Sequence, residues 1–449
     1  MNHVKLLKGG INKMISKKRS WREYFLKGVG LILAVSLALG LYVSLGSAQE
    51  KVNLIWSEWW DQEWGEETID WIISSFEKKF PNVEVETVFA PHAQYMDKLL
   101  TLSMAGEAPD VMGMEVTWAA DFDKLGIFED LDPLISEADP EFTSGHNPGW
   151  DSWWKGRLIM TYLYTMSYGI YYNVRMFEEK EIEPPTNWEE LRIALRKFRS
   201  PEKRQWGIAL PVAMKSSAHF TLYNFWTRLI QAGGRMTNEE GLAVFNSDAG
   251  VRTLEYWGSL LAEGLVYPGT VRGALAIGEK EMIELFGAEQ VPMQLTGPFL
   301  KGQAVKRNPE MENNIALTPP FKDVTSGYLI TGSGVSLSSQ SEHPELAWEF
   351  LKHLLSDEVA SKMVEEKSLF WANTRALESP SIREDPVLRY LPQMIADPAS
   401  QPWSVLPQLG DLCNALMENA QEYFLGKEDA QTALNDTVEY WNKVIGEAR

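Results

Sequence analysis

Val52-Asn53-Leu54-Ile55-Trp56 is a run of β-forming residues, and the residues after it change pattern in a regular way. Ile69, Ile72, Ile73, Phe76 and Phe80 recur at helical spacing until Pro81 ends the pattern. Val83, Val85 and Thr87 then alternate with Glu84 and Glu86, as a half-exposed strand does. Tyr95, Leu99, Leu102 and Met104 predict a second helix stopped at Gly106, and Asp110-Val111-Met112 opens a third strand. This βαβαβ order predicts an α/β fold whose sheet is mainly parallel and covered by helices. Loops gather at the C-terminal ends of such strands, and ligands bind there.

Farther along the chain, Tyr168-Gly169-Ile170-Tyr171-Tyr172-Asn173 reads as a continuous buried strand. Pro184-Pro185-Thr186-Asn187-Trp188-Glu189 reads as a helix entry in which Thr186 caps the backbone and Glu189 completes a capping box. Trp206 to Pro211 suggests a strand, and Ala218 to Ala232 a helix stopped by Gly233-Gly234. Ser247 is placed to cap a helix running to about Ala262, and Pro344 falls in the first turn of another ending near Leu355. Gln408 to Ile445 reads as two helices separated by Gly426. No internal repeat or Pro-rich linker divides the chain, so its parts are expected to interleave.

Toward the N-terminus, Lys5, Lys8, Lys13, Lys17, Lys18, Arg19, Arg22 and Lys27 precede an uncharged apolar run from Val29 to Leu45. That is the pattern of a Sec-type export signal, and Gly46-Ser47-Ala48 supplies small residues for cleavage after Ala48. The signal is therefore residues 1–48, with Met14 as an alternative start. An uncleaved membrane anchor is the rival reading, but a run of 17 residues is at the short limit for crossing a bilayer. The only cysteine, Cys413, lies far from the signal, so no intrachain disulfide and no lipid-modified N-terminal cysteine is expected. The exported protein should be soluble, periplasmic or extracellular, and not a lipoprotein.

About 400 residues remain after cleavage, enough for two hydrophobic cores. Removal of residues 1–48 takes away eight basic residues and one acidic one, leaving 34 basic against 61 acidic and a net charge of −27. Nucleic acid is excluded as a partner on that ground, because phosphate binding needs a basic surface.

Ala105-Gly106-Glu107-Ala108-Pro109-Asp110-Val111 is followed by Trp118, Gly126-Ile127-Phe128 and Asp130-Leu131. Further segments are Tyr172-Asn173 with Phe177, Pro185 to Leu191, Gly297-Pro298-Phe299, and Gly426 with Ala430 and Leu434. Together these segments resemble the bacterial extracellular solute-binding proteins of ABC importers, in the class that includes maltodextrin binders. The resemblance implies a two-lobed Venus-flytrap fold, acting as a monomer without cofactor or metal, that delivers a sugar to the transmembrane subunits of an ABC permease. It implies one lobe from residues 49–163 plus 331–377, and another from 164–330 plus 378–449. Crossings are expected near Met160 to Met166, near Ser326 to Ser333, and within Arg375 to Leu388.

A sugar offers flat C–H faces and a rim of hydroxyls, so its site needs aromatic rings and directed polar groups. The chain has 18 Trp, and Trp21 alone falls within the signal. Trp59 and Trp60 follow the first strand, and adjacent side chains on extended backbone point opposite ways, so one of them is expected to face the ligand. Asp61 or Glu58 would bond a hydroxyl. The resemblance places Glu115 and Trp118, after the Asp110 strand, in the cleft. On the other lobe it places Phe299, where many relatives have Trp, and it brings the segments of Trp371, Arg375 and Trp403 to the cleft. Asn224, near a helix start, is expected to reach the site, and Gly332-Ser333-Gly334 allows backbone amides close to a ligand or forms a hinge turn.

Three other functions fit less well. A glycoside hydrolase needs two carboxylates about 5 to 10 Å apart, and no local catalytic signature marks such a pair among 62 acidic residues. Six scattered His and one Cys give no metal-ligand spacing. A cationic solute such as a polyamine is the alternative ligand that aromatic and acidic groups would hold.

Overall fold

A computed structural model describes residues 51–210, 218–268, 277–367 and 369–448. The expected signal, residues 1–48, lies outside them. The described residues fall into a small unit, 51–53 with 77–84, and a large one, 54–76 with 85–448; packing and site below concern the large unit. No described helix is long and apolar enough to cross a membrane.

In chain order the strands are β1 (Val52–Glu58), β2 (Val83–Phe89), β3 (Val111–Glu115), β4 (Asp151–Trp154), β5 (Arg157–Ser167) and β6 (Gly169–Asn173). Then follow β7 (Met293–Thr296), β8 (Ile315–Leu317), β9 (Leu329–Leu337) and β10 (Gln401–Pro402). One sheet has the order β2-β1-β3-β9-β5-β4 with β10 beside β9, and a second has the order β7-β6-β8. β1 and β3 are parallel, with Trp56 opposite Val111, as the βαβαβ reading requires.

The sheet as a whole is mixed, which corrects the expectation of a mainly parallel one. β9 returns more than 200 residues after β3 and runs antiparallel to both β3 and β5, with Val335 paired to Gly113 on one side and Thr161 on the other. Local periodicity reports neighbours in sequence and carries no sign of such an inserted strand.

Gly332 and Gly334 lie inside β9, so the segment is neither an open turn nor a loop. The register of β5 shifts between Tyr162 and Tyr164, bringing its backbone close to β9. A Cβ on Gly334 would sit 1.9 Å from the Thr161 carbonyl oxygen, and one on Gly332 would sit 2.2 Å from that of Tyr164. The glycines are there for strand approach.

The chain passes from the first sheet to the second at Tyr168, between the end of β5 and the start of β6, and returns between β8 and β9. β10 comes back alongside β9, Gln401 opposite Leu329.

The helices fall largely where periodicity puts them. Glu66–Lys79 buries Ile69, Ile72 and Phe76, and His92–Ala105 ends at Gly106 with φ 76°. Ala218–Gln231, Asp248–Ala262, Pro344–Leu354, Leu409–Phe424 and Ala430–Ala448 follow, with Gly426 at φ 72° between the last two. Three local readings change. Ser247 stands at the N-cap position of Asp248–Ala262, but its side chain makes no cap hydrogen bond. The helix Trp188–Phe198 is capped by Asn187, whose side chain accepts from the Glu190 amide, while Glu190 reaches back to Thr186. The cap therefore sits one residue later than Thr186, because the Asn amide oxygen reaches the third helical N–H from there. Trp206 to Leu210 forms no strand; Ile208 makes only isolated bridges to Val266 and Met293, and Pro211 is outside the described residues. Cys413 is buried in Leu409–Phe424, where burial pushes its thiol well above its ordinary range.

Candidate functional site

β1 ends at Glu58, and the backbone turns before the short helix Asp61–Trp64. Trp60 is helical, with φ −81° and ψ −7°, so Trp59 and Trp60 do not diverge as residues of a strand would. Both are buried, their rings 4.3 Å apart, which corrects the expectation that they point opposite ways. Trp60 stacks on Trp64 at 4.7 Å, and Trp64 continues to Tyr164 and Trp371. Trp59 packs on Tyr95, His92 and Trp118 at 4.9, 5.5 and 5.4 Å. These pairs form a shelf of rings at the C-terminal end of β1, where the α/β reading places a ligand.

Carboxylates edge the shelf. Glu115 ends β3 and pairs with His92 at 3.0 Å. Glu63 keeps solvent access, yet enough protein surrounds it to push its pKa up to about 7; burial leads, Glu115 adds to it, and His92 and the Trp59 indole oppose. Glu58 is itself buried, and its pKa is also raised to about 7 by that burial, although the Asp61 amide donates to it at 3.0 Å. Asp61 is half-buried beside it.

Helix Ala218–Gln231 approaches this shelf from the second sheet. Burial drives the Tyr223 phenol far above its ordinary range, and the Glu115 charge is the next cause, with a bond to Thr331 opposing. Tyr223 meets Tyr168 at 4.5 Å and Trp403 at 4.9 Å. Trp403 in turn walls a cavity of about 560 Å³.

That cavity is lined by Asp151, Trp153, Trp154, Lys155 and Gly156 of the β4–β5 hairpin, by Thr237, Asn238, Glu239 and Gly241, and by Pro402 to Val405. Lys155 and Gly156 take φ 52° and 77°, the left-handed pair that a tight two-residue hairpin turn needs. The turn projects Trp153, which stays 48% exposed, and the Lys155 ammonium lies 5.6 Å from the Trp154 ring. An exposed indole among hydroxyl, amide and carboxylate groups is suited to a polyhydroxylated ligand.

The other expected residues are placed as follows. Phe299 is half-buried against Tyr168 at 6.3 Å, and Asn224 is buried beside Tyr223 on its helix. Ser333 accepts from the Tyr164 hydroxyl at 3.2 Å, while Gly332 and Ser333 pair with β5. Trp371 is fully buried and its indole donates to the Leu354 carbonyl at 2.8 Å. Arg375 bridges Asp357, the Glu141 carbonyl and Ser144. Trp371 and Arg375 thus have structural partners within the first sheet's surroundings, and the cavity does not include them.

Glu63, His92, Tyr95, Tyr223 and the Trp153 hairpin escaped the sequence reading. The Trp153-Trp154-Lys155-Gly156 tetrad carried a signal, since a turn pair after adjacent Trp residues projects one of them. Tyr223 lies on a regular amphipathic helix and carried none. Among the described residues, no group of three His, Cys, Asp or Glu is placed to hold a metal ion.

Two open sheets linked by strands that pass between them, with rings from both at their junction, define a periplasmic-binding-protein fold. Solved structures share it: the cyclic α-maltosyl-1,6-maltose binding protein of Arthrobacter globiformis superposes with a TM-score of 0.75, at 18% identity over 88% of this chain and all of that one. The chain belongs to the bacterial extracellular solute-binding protein family, whose profile matches residues 55–361. Relatives include the arabinooligosaccharide-binding protein of Bacillus subtilis (strain 168), 23% identical over 65% of this chain and 66% of that protein. The maltotriose-binding protein of Pyrococcus abyssi is 22% identical over 73% of this chain and 68% of its own length.

Proposed function

We propose that this chain is the substrate-binding component of an ABC importer, capturing an oligosaccharide outside the cytoplasm and delivering it to the permease subunits. The observation that carries the reading is the cavity of about 560 Å³ with the exposed Trp153 beside Asp151, Asn238 and Glu239. Its volume falls within the range of about 300 to 1,000 Å³ usual for small-molecule sites. The names of the Bacillus, Pyrococcus and Arthrobacter relatives, all oligosaccharide binders, support the same ligand class.

In this reading the rings near Trp59 and Trp118 extend the sugar-binding surface from the cavity. Residues 49–163 with 331–377 form one lobe and 164–330 with 378–449 the other, and the two close by rotation about the passing strands. The ligand touches both and shifts the equilibrium by its preference for the closed form. The protein works as a monomer, without nucleic acid, and residues 1–48 direct export and are removed, leaving Gln49 as the first residue of a freely diffusing, periplasmic or extracellular product.

Titration calorimetry against a panel of α- and β-linked oligosaccharides and amines tests the ligand. Heat from at least one saccharide and none from the amines is expected; binding of amines alone, or cleavage of a saccharide, refutes the reading. N-terminal mass analysis of secreted protein tests removal at Ala48.

A further inference from the structure

Arg228 is a buried cation without a buried anion. It lies on helix Ala218–Gln231 at 1% exposure, and its Nε and Nη2 have no hydrogen-bond partner among the described residues. An arginine does not shed its proton in a protein, so burial alone cannot neutralise it. Compensation comes from Tyr256, through a hydrogen bond to its side chain and a ring 5.4 Å from the guanidinium carbon, but Tyr256 is neutral, and Arg192 shares that ring at 5.0 Å. Arg192 pairs with Glu189 and Glu263, whereas no carboxylate among the described residues pairs with Arg228.

Arg228 lines a cavity of about 10 Å³, together with Tyr168, Gly169, Gln231, Phe321 and Tyr328; none of its walls is acidic. That volume is about one water-sized sphere. The walls offer donors. The Tyr328 oxygen already accepts from the Phe321 amide at 2.5 Å, which leaves its own proton to give. The Gln231 carboxamide oxygen accepts from the Trp188 indole at 3.0 Å, which leaves its NH2 end to donate. A carboxylate or phosphate ion is too large for this space, and a water would fill it without balancing the charge.

We propose that this cavity is a binding site for one monatomic anion of the halide class, chloride under ordinary conditions, held by Arg228 with Gln231 and Tyr328 as further donors. The site lies where the chain passes between the sheets: Tyr168 and Gly169 are the outgoing crossing, and Phe321 to Tyr328 lead back into β9. The ion therefore ties helix Ala218–Gln231 to both crossing segments, apart from the solute cavity.

The test uses the full mature chain without sugar, melted in chloride and in gluconate at equal ionic strength, gluconate being too large to enter. Chloride at saturation is expected to raise the melting point by about 3 °C. Arg228→Met should abolish that difference. Should the variant fail to fold, crystals of the unaltered chain grown with bromide decide, since an anomalous peak beside Arg228 is expected. Equal melting of the unaltered chain in the two salts, or bromide-grown crystals without that peak, overturns the proposal.

Discussion

The rings of Tyr223 and Trp403 meet edge to face, centroids 4.9 Å apart at 74°, and so join the helix that carries Tyr223 to the wall of the large cavity. Tyr223 also feels the Glu115 charge, so rings and carboxylates brought by both sheets meet around one phenol. Replacement of Trp403 by Ala would remove that wall and take one ring contact from each of Tyr223 and Trp226. A loss of about 3 to 5 kcal/mol of stability is expected, read from denaturant midpoints.

Trp153 is the opposite case, because it is half-exposed and packs little. Trp153→Ala should leave the melting point within about 1 °C while weakening saccharide binding about tenfold or more in calorimetry. An unchanged affinity would remove the hairpin from the site.

Glu58 supplies a pH dependence. Its pKa is raised to about 7 in the folded chain from 4.5, so between those values the folded state holds more protons than the unfolded state. Stability from this group is therefore full below pH 4.5 and is lost as pH rises through 7. Glu58→Gln, which keeps an acceptor for the Asp61 amide, should stabilise the protein at pH 8 by about 2 kcal/mol and flatten its melting profile between pH 5 and 8.

Gly334→Ala forces a methyl group to within 1.9 Å of the Thr161 carbonyl oxygen, a contact no rotamer relieves. The expected cost exceeds about 3 kcal/mol and shows as loss of soluble yield or a depressed melting point.

Arg375→Ala separates structure from binding. Its guanidinium holds the Asp357 carboxyl below the usual range and fastens residues 141–144. The pair is partly exposed, so a loss of about 1 kcal/mol is expected, with saccharide affinity unchanged. Because the Asp357 pKa is depressed, that stabilisation is present at neutral pH and fades in acid as pH falls through the folded value.

What was legible in the sequence follows from range. Helices such as Glu66–Lys79 and Pro344–Leu354 announce themselves by periodicity and terminal residues, and the opening β1 and β3 by their apolar runs. The same local reading misjudged Trp59 and Trp60, because a helix starting two residues later bends the backbone. It misjudged Gly332 and Gly334 because their reason is the bulge in β5, about 170 residues earlier. Of the site, the shelf of Trp59, Glu115 and Trp118 was visible because it follows strand ends. Tyr223 and Glu63 were invisible, since their roles arise from what the fold brings beside them.

Cys413 has a consequence for use of the protein as an instrument. The thiol is enclosed, and burial suppresses its reactive thiolate. A cysteine introduced at an exposed position outside the solute cavity, such as Met104, would then be the sole thiol available to a maleimide dye. Fluorescent labelling at one chosen point follows without first removing a native competitor, and the dye's emission becomes a direct gauge of solute in a cuvette.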